Sequence, residues 1–82
     1  MTTYKLTIFD RTGTGNAING TEEVMREAMD LFTAFMGNPV RDENELLKVE
    51  GFTDTADRAP YTLIMRMDHV VSMILVRMWG NE

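Results

Sequence analysis

The segment from Thr21 to Gly37 carries the clearest periodic pattern in the chain and constrains the fold more than any other feature. Its apolar side chains recur with helical spacing inside an arc of about 160° on a helical wheel, and its acidic residues lie opposite. Thr21 is a favourable N-cap, Gly37 suits the C′ position, and Pro39 prevents continuation of the helix. An amphipathic helix is therefore predicted, and its apolar face requires a second layer. That face consists of Val24, Met25, Ala28, Met29, Leu31, Phe32, Phe35 and Met36.

Short segments before and after this helix have the composition of β-strands. Tyr4 to Phe9 is rich in β-forming residues and alternates apolar with polar side chains. Residues 42–50 are ambiguous, because Asp42 with Glu45 matches a capping box that would open a short helix. The alternation that follows favours a strand from about Leu46 to Thr53.

The C-terminal segment is the most apolar part of the chain, and its pattern favours a β-hairpin. Tyr61 to Met67 forms the first strand, Asp68 and His69 lie at the reversal, and Val70 to Trp79 forms the last strand. The predicted element order is β-α-β-β-β. This order predicts one small two-layer α+β domain over residues 1–82, with one amphipathic helix packed on a mostly antiparallel four-stranded sheet.

A glycine-rich segment, RTGTGNAING, lies between the first strand and the helix. It lacks the Gly-Lys-Ser/Thr of a P-loop, and its glycine spacing differs from that of the dinucleotide fingerprint. Glu22 and Glu23 occupy the first turn of the helix, where a bound phosphate would meet their negative charge. The segment is therefore predicted to be a flexible connector. A small anion-binding or ligand-binding protein that uses the loop from Gly13 to Gly20 is a distant alternative.

The charge and composition exclude several classes of function. The net charge is −5, and the eight basic residues are spread along the chain without a cluster, which disfavours direct binding to nucleic acid. The absence of cysteine excludes disulfides and thiolate zinc sites. No apolar run approaches the length of a membrane span, and the N-terminus does not resemble a signal peptide. We expect a cytoplasmic protein of bacterial or phage origin that does not bind a membrane.

No constellation of catalytic residues can be identified in the sequence. His69 is the only histidine, and in a strand the adjacent Asp68 would point to the opposite face. The eight methionines are explained by core packing or by an adaptable protein-binding surface. A Cu(I) site at Met65, Met67 and His69 is the weakest interpretation, because cysteine is absent. The sequence therefore predicts a protein that is not an enzyme and has no cofactor or metal.

The last predicted strand is apolar on both faces, and a single helix can cover only one of them. The sequence therefore predicts a non-enzymatic protein–protein interaction module that self-associates and acts by binding a larger partner. Whether the complex is a homodimer or a heterocomplex stays open. The predicted interface residues are Val71, Met73, Leu75, Arg77 and Trp79. The opposite side of the strand holds Val70, Ile74, Val76 and Met78.

The alternative function uses the acidic residues on the outer side of the helix. Glu23, Glu27 and Asp30 would imitate the charge of a nucleic-acid backbone and occupy the basic groove of a nucleic-acid-handling complex. An acidic phage-type inhibitor that counters a host defence system would act in this way. A surface that only confers solubility is the simpler interpretation of the same residues.

Overall fold

The computed structural model describes residues 3–53 and 55–78 and has an α+β fold, in which one helix packs on an antiparallel sheet. The predicted fold class is confirmed, but the sheet has five strands rather than four, in the order β4-β3-β2-β1-β5. A 3-10 helix spans Met67–His69, between the last two strands. The other elements are β1 (Thr3–Asp10), β2 (Gly15–Gly20), α1 (Glu22–Gly37), β3 (Leu46–Phe52), β4 (Pro60–Arg66) and β5 (Val70–Met78).

The additional strand is β2, which comes from the glycine-rich segment. It pairs antiparallel with β1 from Tyr4 opposite Gly20 to Phe9 opposite Gly15. The prediction of a flexible connector is therefore wrong for Gly15–Gly20, because this segment is held in the sheet. A β-carbon on Gly15 would lie 3.0 Å from Cε1 of the Phe9 ring, so the ring occupies the space that a larger residue would need.

The loop between β1 and β2 is organised by the side chain of Asp10. Its Oδ1 atom accepts hydrogen bonds from the backbone N–H of Thr12 at 2.9 Å, the hydroxyl of Thr12 at 2.6 Å and the backbone N–H of Thr14 at 3.1 Å. Gly13 has a φ of +87°, a left-handed conformation that glycine adopts without strain. The hydrogen bond from the Thr12 side chain is the main reason that the pKa of Asp10 lies below its usual value.

The Asp10 carboxylate should therefore contribute a pH-dependent part of the stability. Because its pKa is lower in the folded state, this contribution is present above the unfolded-state pKa and is lost as the pH falls through the folded-state pKa. We expect Asp10→Ala to lower the free energy of unfolding at neutral pH and to approach the wild type in acid. Urea unfolding over an acid pH series measures this difference. A deficit that stays constant across the series would contradict the role of the ionised carboxylate.

The last two strands do not form the predicted hairpin, because β4 and β5 lie on opposite edges of the sheet. The chain from Arg66 to Val70 spans at most about 14 Å, whereas the edges of a flat five-stranded sheet lie about 19 Å apart. The sheet must therefore curl until its two edges approach each other at this corner. Two backbone hydrogen bonds fix the corner: Met67 N–H donates to the Glu45 carbonyl at 2.8 Å, and Arg11 N–H donates to the His69 carbonyl at 3.1 Å.

Strand β3 meets β2 at the pair formed by Asn19 and Phe52. A β-carbon on Gly51 would collide with the carbonyl oxygen of Asn19, so the two backbones can approach only because residue 51 is glycine. Gly20 is similarly close to its surroundings, since a β-carbon there would lie 2.6 Å from the Cε atom of Met25. The close approach of Gly51 and Asn19 joins the β3–β4 pair to the other three strands.

The helix begins as predicted, with the hydroxyl of Thr21 accepting a hydrogen bond from the N–H of Val24. It ends one residue later than predicted, because Gly37 is still helical and Asn38 is the C-cap. Residues 42–45 form a turn before the strand that begins at Leu46, so the strand interpretation of this segment is confirmed. The core lies between α1 and the inner face of the sheet. It contains Leu6, Ile8, Ile18, Met25, Ala28, Phe35, Leu47, Val49, Leu63, Met67 and Val70.

Candidate interaction surface

Strand β5 forms one edge of the sheet. It pairs with β1 along its length, from Thr3 opposite Met78 to Phe9 opposite Ser72. Within residues 3–53 and 55–78, no strand pairs with its other side. The backbone N–H and C=O groups of β5 that point away from β1 have no strand partner among these residues, as is usual at a sheet edge.

The two faces of β5 differ sharply in exposure. Met73 and Leu75 lie opposite Ile8 and Leu6, two fully buried core residues of β1, and they pack against the core. Ile74 points to the other face, from which α1 is absent, and is 51% exposed. The outer face of the sheet is therefore uncovered at β5. We define the outer patch as Ile74, Val76 and Met78 of β5, all of them exposed.

A β-bulge explains why sequence alternation groups the wrong residues at the start of β5. Asp10 lies opposite Val70, but Phe9 lies opposite Ser72, so Val71 is the extra residue. Val70 is buried and Val71 is 57% exposed, although alternation assigns Val71 to the same side as Met73. A strand read from sequence alone is assumed to alternate without interruption, and this assumption fails at the bulge.

The structure separates the predicted interface residues into three groups. Met73 and Leu75 are half-buried against the core, while Val71 and Arg77 are exposed. Trp79 lies outside the described residues. The side chains that are open to a partner are therefore Val71 and the outer patch. Sequence alternation places the outer patch on the side of the strand opposite to the predicted interface residues.

The described residues of β1 that lie opposite the outer patch are not acidic. Ile74 and Val76 lie opposite Thr7 and Lys5 of β1, and Ser72 lies opposite Phe9. The sequence from Val70 to Met78 also contains neither Asp nor Glu, although the whole chain carries a net charge of −5. This part of the surface can therefore approach a second acidic molecule without bringing carboxylates together.

The acidic residues of the alternative site lie on the exposed side of α1, where Glu23, Glu27 and Asp30 all face solvent. The neighbouring pair of Arg26 and Glu22 is internally neutralised, with 2.7 Å between the Arg26 Nε and Glu22 Oε2 atoms. The hydrogen bond from Arg26 is the main cause of the lowered pKa of Glu22. The acidic stripe therefore keeps its net negative charge.

A cleft of about 310 Å³ lies at the corner between the end of α1 and the start of β5. The guanidinium of Arg41 lies 5.8 Å from the centroid of the Phe35 ring and donates a hydrogen bond to the Met36 carbonyl. The cleft also contains Arg11, Glu43 and Asp68, so its two cationic side chains are matched by two acidic ones. Because these charges balance, the cleft favours neither an anionic nor a cationic ligand.

The residues near His69 do not assemble a catalytic group. Its Nε2 atom lies 3.9 Å from Asp68 Oδ1, and Ser72 belongs to the outer face of β5. In the described part of the chain, no three His, Asp or Glu side chains are grouped to hold a metal ion. The one α-helix among these residues is neither long enough nor apolar enough to cross a membrane.

Comparisons with protein-family models, curated proteins and solved structures found no significant match to this chain.

Proposed function

We propose that this protein is a non-enzymatic protein–protein interaction module that self-associates through β5 and acts by binding a larger partner. The observation that supports this most is the edge position of β5 combined with the apolar, acid-free outer patch. Full burial of a large aliphatic side chain contributes about 1.5–3 kcal/mol. Side chains that are already half-buried gain at most about half of that each.

Self-association is the simplest way to cover this surface, because a two-fold contact needs only one self-complementary patch. Electrostatics favour this patch over the rest of the molecule. Two copies that each carry a charge of −5 repel each other over most approaches. Strand β5 itself carries Arg77 and no carboxylate, and Lys5 lies opposite Val76, so the strand adds no negative charge to a contact at this edge.

Ile74→Glu should abolish self-association while leaving the fold intact, because the side chain is half-exposed and lies on the uncovered face. The matched control is Ile64→Glu, since Ile64 is 57% exposed and lies on β4, the other edge strand. Sedimentation analysis should find a monomer for Ile74→Glu and a dimer for Ile64→Glu. If both variants behave alike, the interface does not lie on β5. Leu75 is unsuitable for this test because it packs against the core.

The second candidate function is an acidic inhibitor of a nucleic-acid-handling complex, as expected for a phage anti-defence protein. It is favoured by the stripe of Glu23, Glu27 and Asp30, which follow one another on the exposed side of α1 at helical spacing. Their separations along the helix axis are about 6 Å and about 4.5 Å. Such a row can face several cationic groups of a basic groove at once.

The acidic stripe is tested by reversing Glu27 and Asp30 to lysine together. Both residues are exposed, so the fold should persist, with a change of unfolding free energy of about 0.5 kcal/mol or less for each substitution. An inhibitor that uses this stripe should bind its target less tightly as salt is added, and the double variant should not bind. Binding that is insensitive to both changes would exclude the stripe and point to β5.

A further inference from the structure

We infer that β5 pairs antiparallel with β5 of a second copy, about a two-fold axis that passes beside Ile74, so that the two sheets join into one. This inference rests on the proposed self-association and specifies its geometry. It replaces a general apolar contact with a defined set of neighbouring residues.

The middle of β5, residues 72–76, lacks the usual protection of an edge strand, because the bulge at Val71 and the charge of Arg77 lie near the two ends of the strand. Natural edges are blocked by proline, by charged side chains or by bulges. The other edge strand, β4, begins at Pro60 and ends at Arg66, whose guanidinium binds the Glu43 carbonyl. In β5 the bulge affects only Val71, and the regular pairing with β1 continues from Ser72 to Met78. This stretch is long and regular enough to template a second strand.

The strand also fixes the axis. The stretch of residues 72–76, which contains neither the bulge nor a charged side chain, is centred on Ile74, and so is the whole strand, Val70–Met78. Any other axis leaves more backbone groups of the edge unpaired. An axis at Arg77 would also place this residue against its own copy, and like charges directly opposite each other are destabilising.

This axis also determines which side chains meet. Met73 meets Leu75 of the second copy, which extends the half-buried inner layer of both molecules across the junction. On the outer face, Ile74 meets its own copy and Val76 meets Ser72. No carboxylate enters the contact, and Arg77 lies opposite Val71. The strand is thus complementary to itself in this register.

The absence of cysteine from the chain allows a direct test by disulfide cross-linking. Directly opposed residues of an antiparallel pair have Cα atoms about 4.5–5.5 Å apart, within the range that a disulfide can bridge. Ile74→Cys should therefore form a covalent homodimer under mild oxidation. At micromolar protein, it should do so about 100-fold faster than Ile64→Cys, the matched variant on β4, because association raises the effective thiol concentration.

Two further variants test the register itself. Ser72→Cys and Val76→Cys should cross-link slowly when each is alone, and rapidly to each other when the two proteins are mixed. A Leu75→Cys homodimer that forms faster than the Ile74→Cys homodimer would overturn the axis position. A wild-type dimer in which none of these cysteines cross-links faster than Ile64→Cys would overturn strand pairing but leave self-association intact. A wild-type monomer would overturn both the pairing and the proposed self-association.

Discussion

Substituting alanine for Gly51 is expected to lower the free energy of unfolding by about 1–3 kcal/mol, the usual cost of overpacking a well-packed site. The added β-carbon would collide with the Asn19 carbonyl oxygen and lie 3.1 Å from Cγ1 of Ile18. Neither neighbour can move easily, because Asn19 is held in the β2–β1 pair and Ile18 is fully buried. The substitution acts where the β3–β4 pair joins the rest of the sheet. We therefore also expect the backbone amide resonances of the residues at this junction to broaden.

Gly37→Ala is the control for the loss of a glycine. No atom lies within 4 Å of the position of its new β-carbon, and its φ is not positive. Because alanine is a better helix former than glycine, this variant should be neutral or more stable, by up to about 1 kcal/mol. Chemical denaturation followed by circular dichroism measures both values. Equal losses for Gly51→Ala and Gly37→Ala would mean that β2 and β3 do not approach as described.

Phe35→Ala should cause the largest loss of stability among single substitutions in the helix, about 3–5 kcal/mol. Phe35 is 6% exposed and belongs to the core, and its ring also supports the guanidinium of Arg41. Phe32 is only half-buried, so Phe32→Ala should cost clearly less. Glu27→Ala is the surface control and should stay within about 0.5 kcal/mol. A larger loss at Phe32 than at Phe35 would show that the helix is rotated relative to the sheet.

The sequence predicts best those elements whose pattern is local. The helix follows from the apolar spacing between Val24 and Met36 and from the Thr21 cap, and β3 follows from its alternation. Strand β2 was missed because its two terminal glycines lower the β-propensity of a six-residue segment. The one fully buried side chain of this segment, Ile18, does not by itself predict a strand when glycines lie at both ends. The strand forms because β1 supplies a complete ladder of partners.

The arrangement of the strands depends on contacts between distant parts of the chain. The predicted reversal at Asp68 and His69 is wrong, because these residues lie in a 3-10 helix that leads from one edge of the sheet to the other. Neither the length nor the composition of this connection distinguishes it from a hairpin turn. The bulge at Val71 is similarly invisible in the sequence, because it is defined by the register with β1. The exposed side of β5 could therefore be chosen only from the structure.

The central claim is that the edge strand β5 makes this protein associate with itself. Sedimentation equilibrium of the wild-type protein across the micromolar range tests it most directly. Self-association through β5 predicts a concentration-dependent mass that rises to twice the 9.4 kDa of one chain. A mass of 9.4 kDa at every concentration would contradict it.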